Sequence, residues 1–203
     1  MIKNIIFDLG GVIININYQL TIEAFRQLGA SNVDNLISCI QQDELIDKFD
    51  VGAISPDDFR AQLMKKFNIS VDKENFDRAW NAMILDLPKE RLELIRKLRQ
   101  RYRVFLFSNI NYIHLDLASS ICQKYGFNSL DEYFDKVYYS CVIGHRKPNS
   151  EGFQLILSEN NLVFEETIFV DDSKQHVEGA KRIGLQAIHV HEGLSILDVF
   201  KSY

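Results

Sequence analysis

The chain is poor in the features that mark disulfide-built, membrane-spanning or nucleic-acid-binding proteins. Its 203 residues include only three cysteines, Cys39, Cys122 and Cys141, dispersed and without metal-ligand spacing. Neither a disulfide framework nor a thiolate metal site is therefore expected, and the thiols read as reduced and mostly buried. No apolar run approaches the length of a membrane span, and the N-terminus lacks the basic and apolar regions of a signal peptide. The expectation is a cytoplasmic protein without a membrane partner. No cluster of Lys and Arg offsets the formal net charge of -5, which argues against a nucleic-acid partner. There is no internal repeat, low-complexity tract or linker of biased composition. Oligomeric state leaves no trace in the sequence.

What is present is ordinary in bulk and specific in pattern. The hydrophobic fraction is 46% and the charged fraction 25%, as in a typical globular protein with a substantial core. Near the start, Asn4-Ile5-Ile6-Phe7-Asp8-Leu9-Gly10-Gly11-Val12 is a run of β-formers that ends in a carboxylate and two glycines. This reads as a buried strand meeting a tight loop, with Asp8 at the carboxyl end of the strand. Open α/β sheets build their sites there. An Asp that only caps a turn has the same local pattern.

From Tyr18 to Asp86 the spacing is helical. Leu20, Ile22, Phe25 and Leu28 recur on one face; Leu36, Ile37 and Ile40 suggest a second helix, and Leu45, Ile46 and Phe49 a third. Ser55-Pro56-Asp57-Asp58 has the Ser, Pro and acids of a helix start, and another helix begins at Ser70 or Asp72. From Pro88 onward helices and strands alternate. Strands are expected at 103–107, 136–140, 167–170 and 186–190, and helices at 88–100, 112–126, after Pro148 to about Asn160, and 174–183. The fold class is therefore α/β: a doubly wound, Rossmann-like parallel sheet core with an inserted α-helical bundle. The expected domains are a core of residues 1–16 and 87–203 and a helical unit of 17–86, with hinges near 15–18 and 86–88.

Three further strands end in polar clusters. The strand at 103–107 runs into Ser108-Asn109-Ile110-Asn111, and the strand at 136–140 leads to Gly144-His145-Arg146-Lys147-Pro148. The strand at 167–170 runs into Asp171-Asp172-Ser173, paired carboxylates that need a cation, a shared proton or full hydration. Taken singly, each is also a turn or a solvated surface. Taken together they are coherent: a carboxylate nucleophile, magnesium held by oxygen ligands, and hydroxyl and ammonium groups that cradle a transferring phosphoryl group.

With these motifs the chain resembles the haloacid dehalogenase-like (HAD) hydrolase superfamily over nearly its whole length. Phe7-Asp8-Leu9-Gly10-Gly11-Val12, Phe107-Ser108-Asn109, Arg146-Lys147-Pro148, and Phe169-Val170-Asp171-Asp172 with Glu178-Gly179-Ala180 stand as the family's four motifs. The helical insert lies where members with a small helical cap carry theirs. Within the superfamily, Asp-Leu-Gly-Gly-Val, Ser-Asn-Ile-Asn with His114 shortly after, and Gly-His-Arg-Lys-Pro are most similar to the alpha-D-glucose-1-phosphate phosphatase branch.

The resemblance implies a phosphatase of a small phosphorylated metabolite with Mg2+ as cofactor. Asp8 is then the nucleophile, forming an aspartyl-phosphate. Ser108 and the Asn109 amide bind the phosphoryl group, and Lys147 balances charge between it and Asp8. Asp172 ligates the metal, with Asp8 and the Gly10 carbonyl beside it and Asp171 as a further ligand or a supporting partner. It also implies a sheet with the first strand in the middle, flanked by those at 103–107 and 167–170.

Two positions depart from the family pattern. Phosphatases of the superfamily usually carry a second Asp two residues after the nucleophile, as acid and base for the leaving group and water; here that position is Gly10. Asn15, Asn17 and His114 are the nearby polar candidates to stand in. His176 replaces a frequent Asn, and packing near a helix start is its expected role. Gly10 keeps open the competing reading of a catalytically weak or inactive phospholigand-binding protein. A dehalogenase, which needs no magnesium, would leave Asp171-Asp172 unexplained. His189 and His191 share one face of a strand end and read as surface residues, and Trp80 reads as core of the helical bundle.

Overall fold

The computed structural model describes residues 1–31, 33 and 43–201. Five strands, β1 (Asn4–Phe7), β2 (Arg103–Ser108), β3 (Lys136–Tyr139), β4 (Thr167–Asp171) and β5 (Gln186–His189), form one sheet in the order β3-β2-β1-β4-β5. Every pairing is parallel. Such a sheet needs both faces covered, and β1 shows why this sequence supplies that. Its four residues are all buried, with Ile5 and Phe7 turned to one apolar cluster and Ile6 to another. The first cluster is closed by Leu92, Ile95 and Leu98 of α5 (Lys89–Leu98) and by Ala118, Ile121 and Cys122 of α6 (Tyr112–Lys124). The second is closed by Phe153, Ile156 and Leu157 of α8 (Ser150–Glu159) and Ala180 of α9 (Lys174–Arg182).

Between β1 and α5 lie α1 (Tyr18–Gln27), α2 (Glu44–Asp50), α3 (Pro56–Phe67) and α4 (Lys73–Asn81). Ser55 caps α3 by accepting from Asp58 N at 3.1 Å, with Pro56 in the first turn, and Asp72, not Ser70, caps α4. These helices have a core of their own, built on Phe25, Phe49, Phe59, Phe67, Phe76 and Trp80, with Ile113 of α6 joining it. Phe49 and Phe59 stack at 4.0 Å between centroids. The helix suggested by Leu36, Ile37 and Ile40 lies outside the described residues.

Two short segments tie the helical layer to the sheet, and they run side by side. Ile16 and Ile84 form an antiparallel bridge; Asn15 N donates to Asp86 O and Leu85 N to Asn15 O, each at 2.9 Å. Sequence periodicity placed most boundaries within a residue or two. It missed two one-turn helices, α7 (Ser140–Ile143) and α10 (Ile196–Val199), too short to show a helical period. Ser140, expected at the end of β3, opens α7 instead and donates its buried hydroxyl to Ile110 O at 3.2 Å.

Candidate active site

The register of the sheet assembles the site. Phe7 of β1 lies level with Leu106 and Val170, so the next residue, Asp8, stands beside Asp171 at the end of β4, and Ser108 closes β2 on its other side. The chain leaves β1 for β2 on one flank and returns to β4 on the other. Asp8 and the Asp171-Asp172 pair therefore straddle the switch point, where the loops diverge and leave a crevice. Asp8 N donates to Val170 O at 2.8 Å, which fixes the start of the loop.

Lys147 arrives from the segment after α7 and is fully buried. Its Nζ donates to Asp8 Oδ1 at 2.5 Å and to Asp171 Oδ2 at 2.7 Å. Asn109 holds this lysine in place: its Oδ1 accepts from Lys147 N and its Nδ2 donates to Lys147 O, both at 2.9 Å. The Asn109 side chain is thus occupied by the lysine backbone, and what it retains for a ligand is its own N–H. Behind Lys147, α9 comes so close that a Cβ at Gly179 would stand 2.6 Å from Pro148 O, so glycine there sets the depth of the Lys147-Pro148 loop.

The two carboxylates of β4's end have separate surroundings. Asp171 accepts from Lys147, from Ser173 N at 2.7 Å and from His176 Nδ1 at 3.1 Å. Burial pushes its carboxyl up, but Lys147 and His176 outweigh that and hold it at about 2. Asp172 has no such partners among the described residues. Burial and the Asp171 charge raise it to about 6. Asp8 is raised to about 7 by burial, against the pull of Lys147 and with the Asp171 and Asp172 charges adding to it. Gly11 makes room for Asp172: its φ is +71°, and a Cβ there would meet Asp172 Oδ2 at 2.2 Å.

Oxygens of Asp8, Asp171 and Asp172 lie within 4.8 Å of one another. Three carboxylates against one lysine leave a surplus of negative charge, and all the donors are hard oxygens, the set that suits magnesium. The Gly10 carbonyl accepts no hydrogen bond among the described residues, because the loop's bridge uses Gly11 N, Ile14 and Leu9 O. It is a further oxygen free for such an ion.

These groups open on a cavity of about 760 Å³ between sheet and helical layer, lined by Asp8, Gly10, Ser108, Asn109, Lys147 and Asp172 from below and by Tyr18, Asp47, Asp50, Trp80 and Met83 from above. Among the described residues no polar side chain lies within 4 Å of a Cβ built at Gly10; the nearest is Ile16, at 3.4 Å. Asn15 is bonded to Asp86 at 2.9 Å and Asn17 caps α1. His114 is buried, pushed down by burial to about 4, and holds Asn111 and Trp80 O on its two ring nitrogens.

Other sequence expectations shift. His176 bonds Asp171 instead of merely packing at the helix start. His189 donates to Asp172 O at 2.9 Å and lines the cavity instead of standing on the surface, because the parallel register sets it level with Asp171. Trp80 is core of the helical bundle as expected, and its edge also reaches the cavity. Asp50 also lines the cavity, a placement that helical periodicity does not reveal, because it does not tell which polar residue of an inserted helix faces the sheet; Asn111 and Arg146 lie in the strand-end clusters, and only their tertiary partners show that they face the helical layer.

Comparisons with known proteins agree with this geometry. The chain is 32% identical over 193 residues to D-ribitol-5-phosphate phosphatase of Bacteroides thetaiotaomicron, covering 95% of this chain and 94% of that one. It is 26% identical over 194 residues to a sesquiterpene phosphatase of Aspergillus oryzae, covering 95% and 92%. A HAD-family enzyme of Bacteroides thetaiotaomicron, solved with magnesium and inorganic phosphate, superimposes with a TM-score of 0.92 at 30% identity, over 98% of this chain and 99% of that one. Residues 2–184 match the sequence model of the haloacid dehalogenase-like hydrolases, and the chain belongs to that family.

Proposed function

We propose that the protein is a magnesium-dependent phosphatase of a small phosphorylated metabolite, a sugar or polyol phosphate, acting in the cytoplasm through an aspartyl-phosphate on Asp8. The observation that carries this is the division of labour at the sheet's edge. Lys147 is closed on Asp8 and Asp171, while Asp172, Asp8 and the Gly10 carbonyl present unshared oxygens on one side of a cavity. The relatives named as a ribitol-5-phosphate and a sesquiterpene phosphatase support phosphate-ester hydrolysis, and the structure solved with magnesium and phosphate supports the ion.

Asp8, Asp172 and the Gly10 carbonyl would hold magnesium, which supplies charge neutralisation at the phosphoryl oxygens. Ser108 and the Asn109 N–H bind the phosphoryl group, and Lys147 draws Asp8 toward its ionised form and aims it. An Asp8 oxygen attacks phosphorus as the ester P–O bond breaks, and the leaving oxygen takes its proton from water, since Gly10 offers none. Water then attacks the acyl phosphate, which returns Asp8 and releases phosphate. The helical layer built of α1, α2, α3 and α4 acts as a lid hinged on the paired segments 15–17 and 83–86, closing the cavity to bulk water.

Replacing Asp8 with Asn tests the reading. Turnover of a phosphate-ester panel in magnesium should fall by ~10⁴-fold or more with the melting temperature retained. Full activity in that variant ends the proposal. The missing acid at Gly10 favours one rival, a phospholigand-binding protein. No turnover of any ester, including an activated aryl phosphate, together with tight phosphate-ester binding, would support it. A dehalogenase would leave Asp172 unpaired without a purpose.

A further inference from the structure

Lys147 and its neighbour Arg146 reach opposite ways: Lys147 to the strand ends, Arg146 to the helical layer. Arg146 Nη1 pairs with Asp47 of α2, and its Nη2 stands 3.7 Å from Oδ2 of Asp50, the last residue of the same helix. Its Nε is buried without a hydrogen-bond partner among the described residues. Asp50 is 9% exposed and, among the described residues, accepts a single long hydrogen bond, 3.3 Å, from Asn111 Nδ2. Burial raises its carboxyl to about 7 and lowers the Arg146 guanidinium. A carboxylate has about four acceptor positions and a guanidinium five donors, so among the described residues both groups are short of partners. Both line the cavity that holds Asp8.

The wall behind them is fixed. Asn111 Oδ1 accepts from His114 N at 3.1 Å and Trp80 Nε1 at 3.4 Å, while its Nδ2 serves His114 Nδ1 at 3.2 Å as well as Asp50. His114 is in turn stacked on Trp80, with 5.2 Å between centroids. Asn111 therefore has no spare capacity and cannot turn to satisfy Asp50 further. The unmet positions of Asp50 and Arg146 are held ready for a ligand.

We propose that Asp50 and Arg146 form a hydroxyl-binding subsite that selects phosphate esters with a neutral, polyhydroxylated body. This rests on the phosphatase reading above. A hydroxyl both donates and accepts, so neighbouring hydroxyls donate to Asp50 and accept from the free Arg146 N–H groups at once. A second phosphate or a carboxylate would meet Asp47 and Asp50, an amine would meet Arg146, and an apolar tail would leave both groups unpartnered. Both residues determine specificity and stand apart from the bond-breaking groups.

The test uses the full chain with magnesium and three esters: ribitol 5-phosphate, n-pentyl phosphate of equal carbon number without hydroxyls, and p-nitrophenyl phosphate. In the unaltered protein kcat/KM should favour ribitol 5-phosphate over pentyl phosphate by about 100-fold or more. Asp50→Asn and Arg146→Gln should each shrink that ratio by roughly 10- to 100-fold, mainly through KM. Should one variant not fold, the other carries the same measurement. A ratio unchanged in the variants, equal losses on both esters, or a preference for pentyl phosphate would overturn the subsite while p-nitrophenyl phosphate turnover keeps the phosphatase reading. If no ester is hydrolysed, that reading falls. Calorimetric Kd values for ribitol 5-phosphate and pentyl phosphate then decide the subsite: a variant-sensitive preference for the polyol supports it, and equal values refute it.

Discussion

Lys147 Nζ and Asp171 Oδ2 lie 2.7 Å apart with both side chains wholly buried, and this pairing leaves the next residue, Asp172, as the carboxylate without a side-chain partner among the described residues. Of two tandem acids, the first is thereby committed to the lysine and the second is free for a cation. Register decides which is which, since Asp171 is the last residue of β4 and Asp172 the first beyond it.

Removing the shared cation should be severe. Lys147→Met leaves Asp8 and Asp171 buried together, a situation that costs about 3–5 kcal/mol when one partner of a buried pair is lost. Urea unfolding at neutral pH should show that loss, and activity should vanish with it. A variant as stable as the parent would mean that Lys147 is not the charge that holds the two aspartates.

Supplying the acid that the chain lacks should raise activity. A Cβ at Gly10 meets only the Ile16 side chain, at 3.4 Å, so Gly10→Asp can be accommodated by a small shift of Ile16. General acid–base groups contribute about 10² to 10⁴-fold, and kcat on an alkyl phosphate should rise by about 10²-fold or more. The gain should be smaller on p-nitrophenyl phosphate, whose leaving group needs little help. Equal and unchanged rates on both esters would show that protonation is not limiting.

Gly11→Ala probes the metal position. At a φ of +71° an L side chain is strained, and its Cβ would sit 2.2 Å from Asp172 Oδ2. Stability should fall by about 1–3 kcal/mol. Magnesium affinity, measured by calorimetry, should fall at least tenfold as Asp172 is displaced. Unaltered affinity would place the ion elsewhere.

The pH dependence has a definite sign. Asp8 and Asp50 are raised to about 7 and Asp172 to about 6, from an ordinary 3.8. Between about pH 4 and 7 the folded chain keeps protons on these groups that the unfolded chain has released. Their contribution to stability is therefore present at low pH and declines as pH rises through that window. Magnesium must displace protons from Asp8 and Asp172, so the rise in melting temperature on adding magnesium should be larger at pH 7.5 than at pH 5. Equal increments at both values would contradict the assignment of these carboxylates.

The sequence by itself determined the alternation of elements, the parallel sheet and the strand-end position of Asp8, because burial on two faces and helical spacing are local patterns written in residue type. It also determined that Asp8, Ser108 and Asp171-Asp172 stand at or just beyond strand ends, with Lys147 in the segment that follows β3. Tertiary structure alone decided what those residues do to one another. Register set Asp171 beside Asp8, the Asn109 side chain held Lys147 within reach of both, the approach of α9 at Gly179 set the lysine's depth, and the helical layer brought Asp50 against Arg146 across nearly a hundred residues. Interactions of that kind depend on distance in space, and a linear chain records only distance along itself.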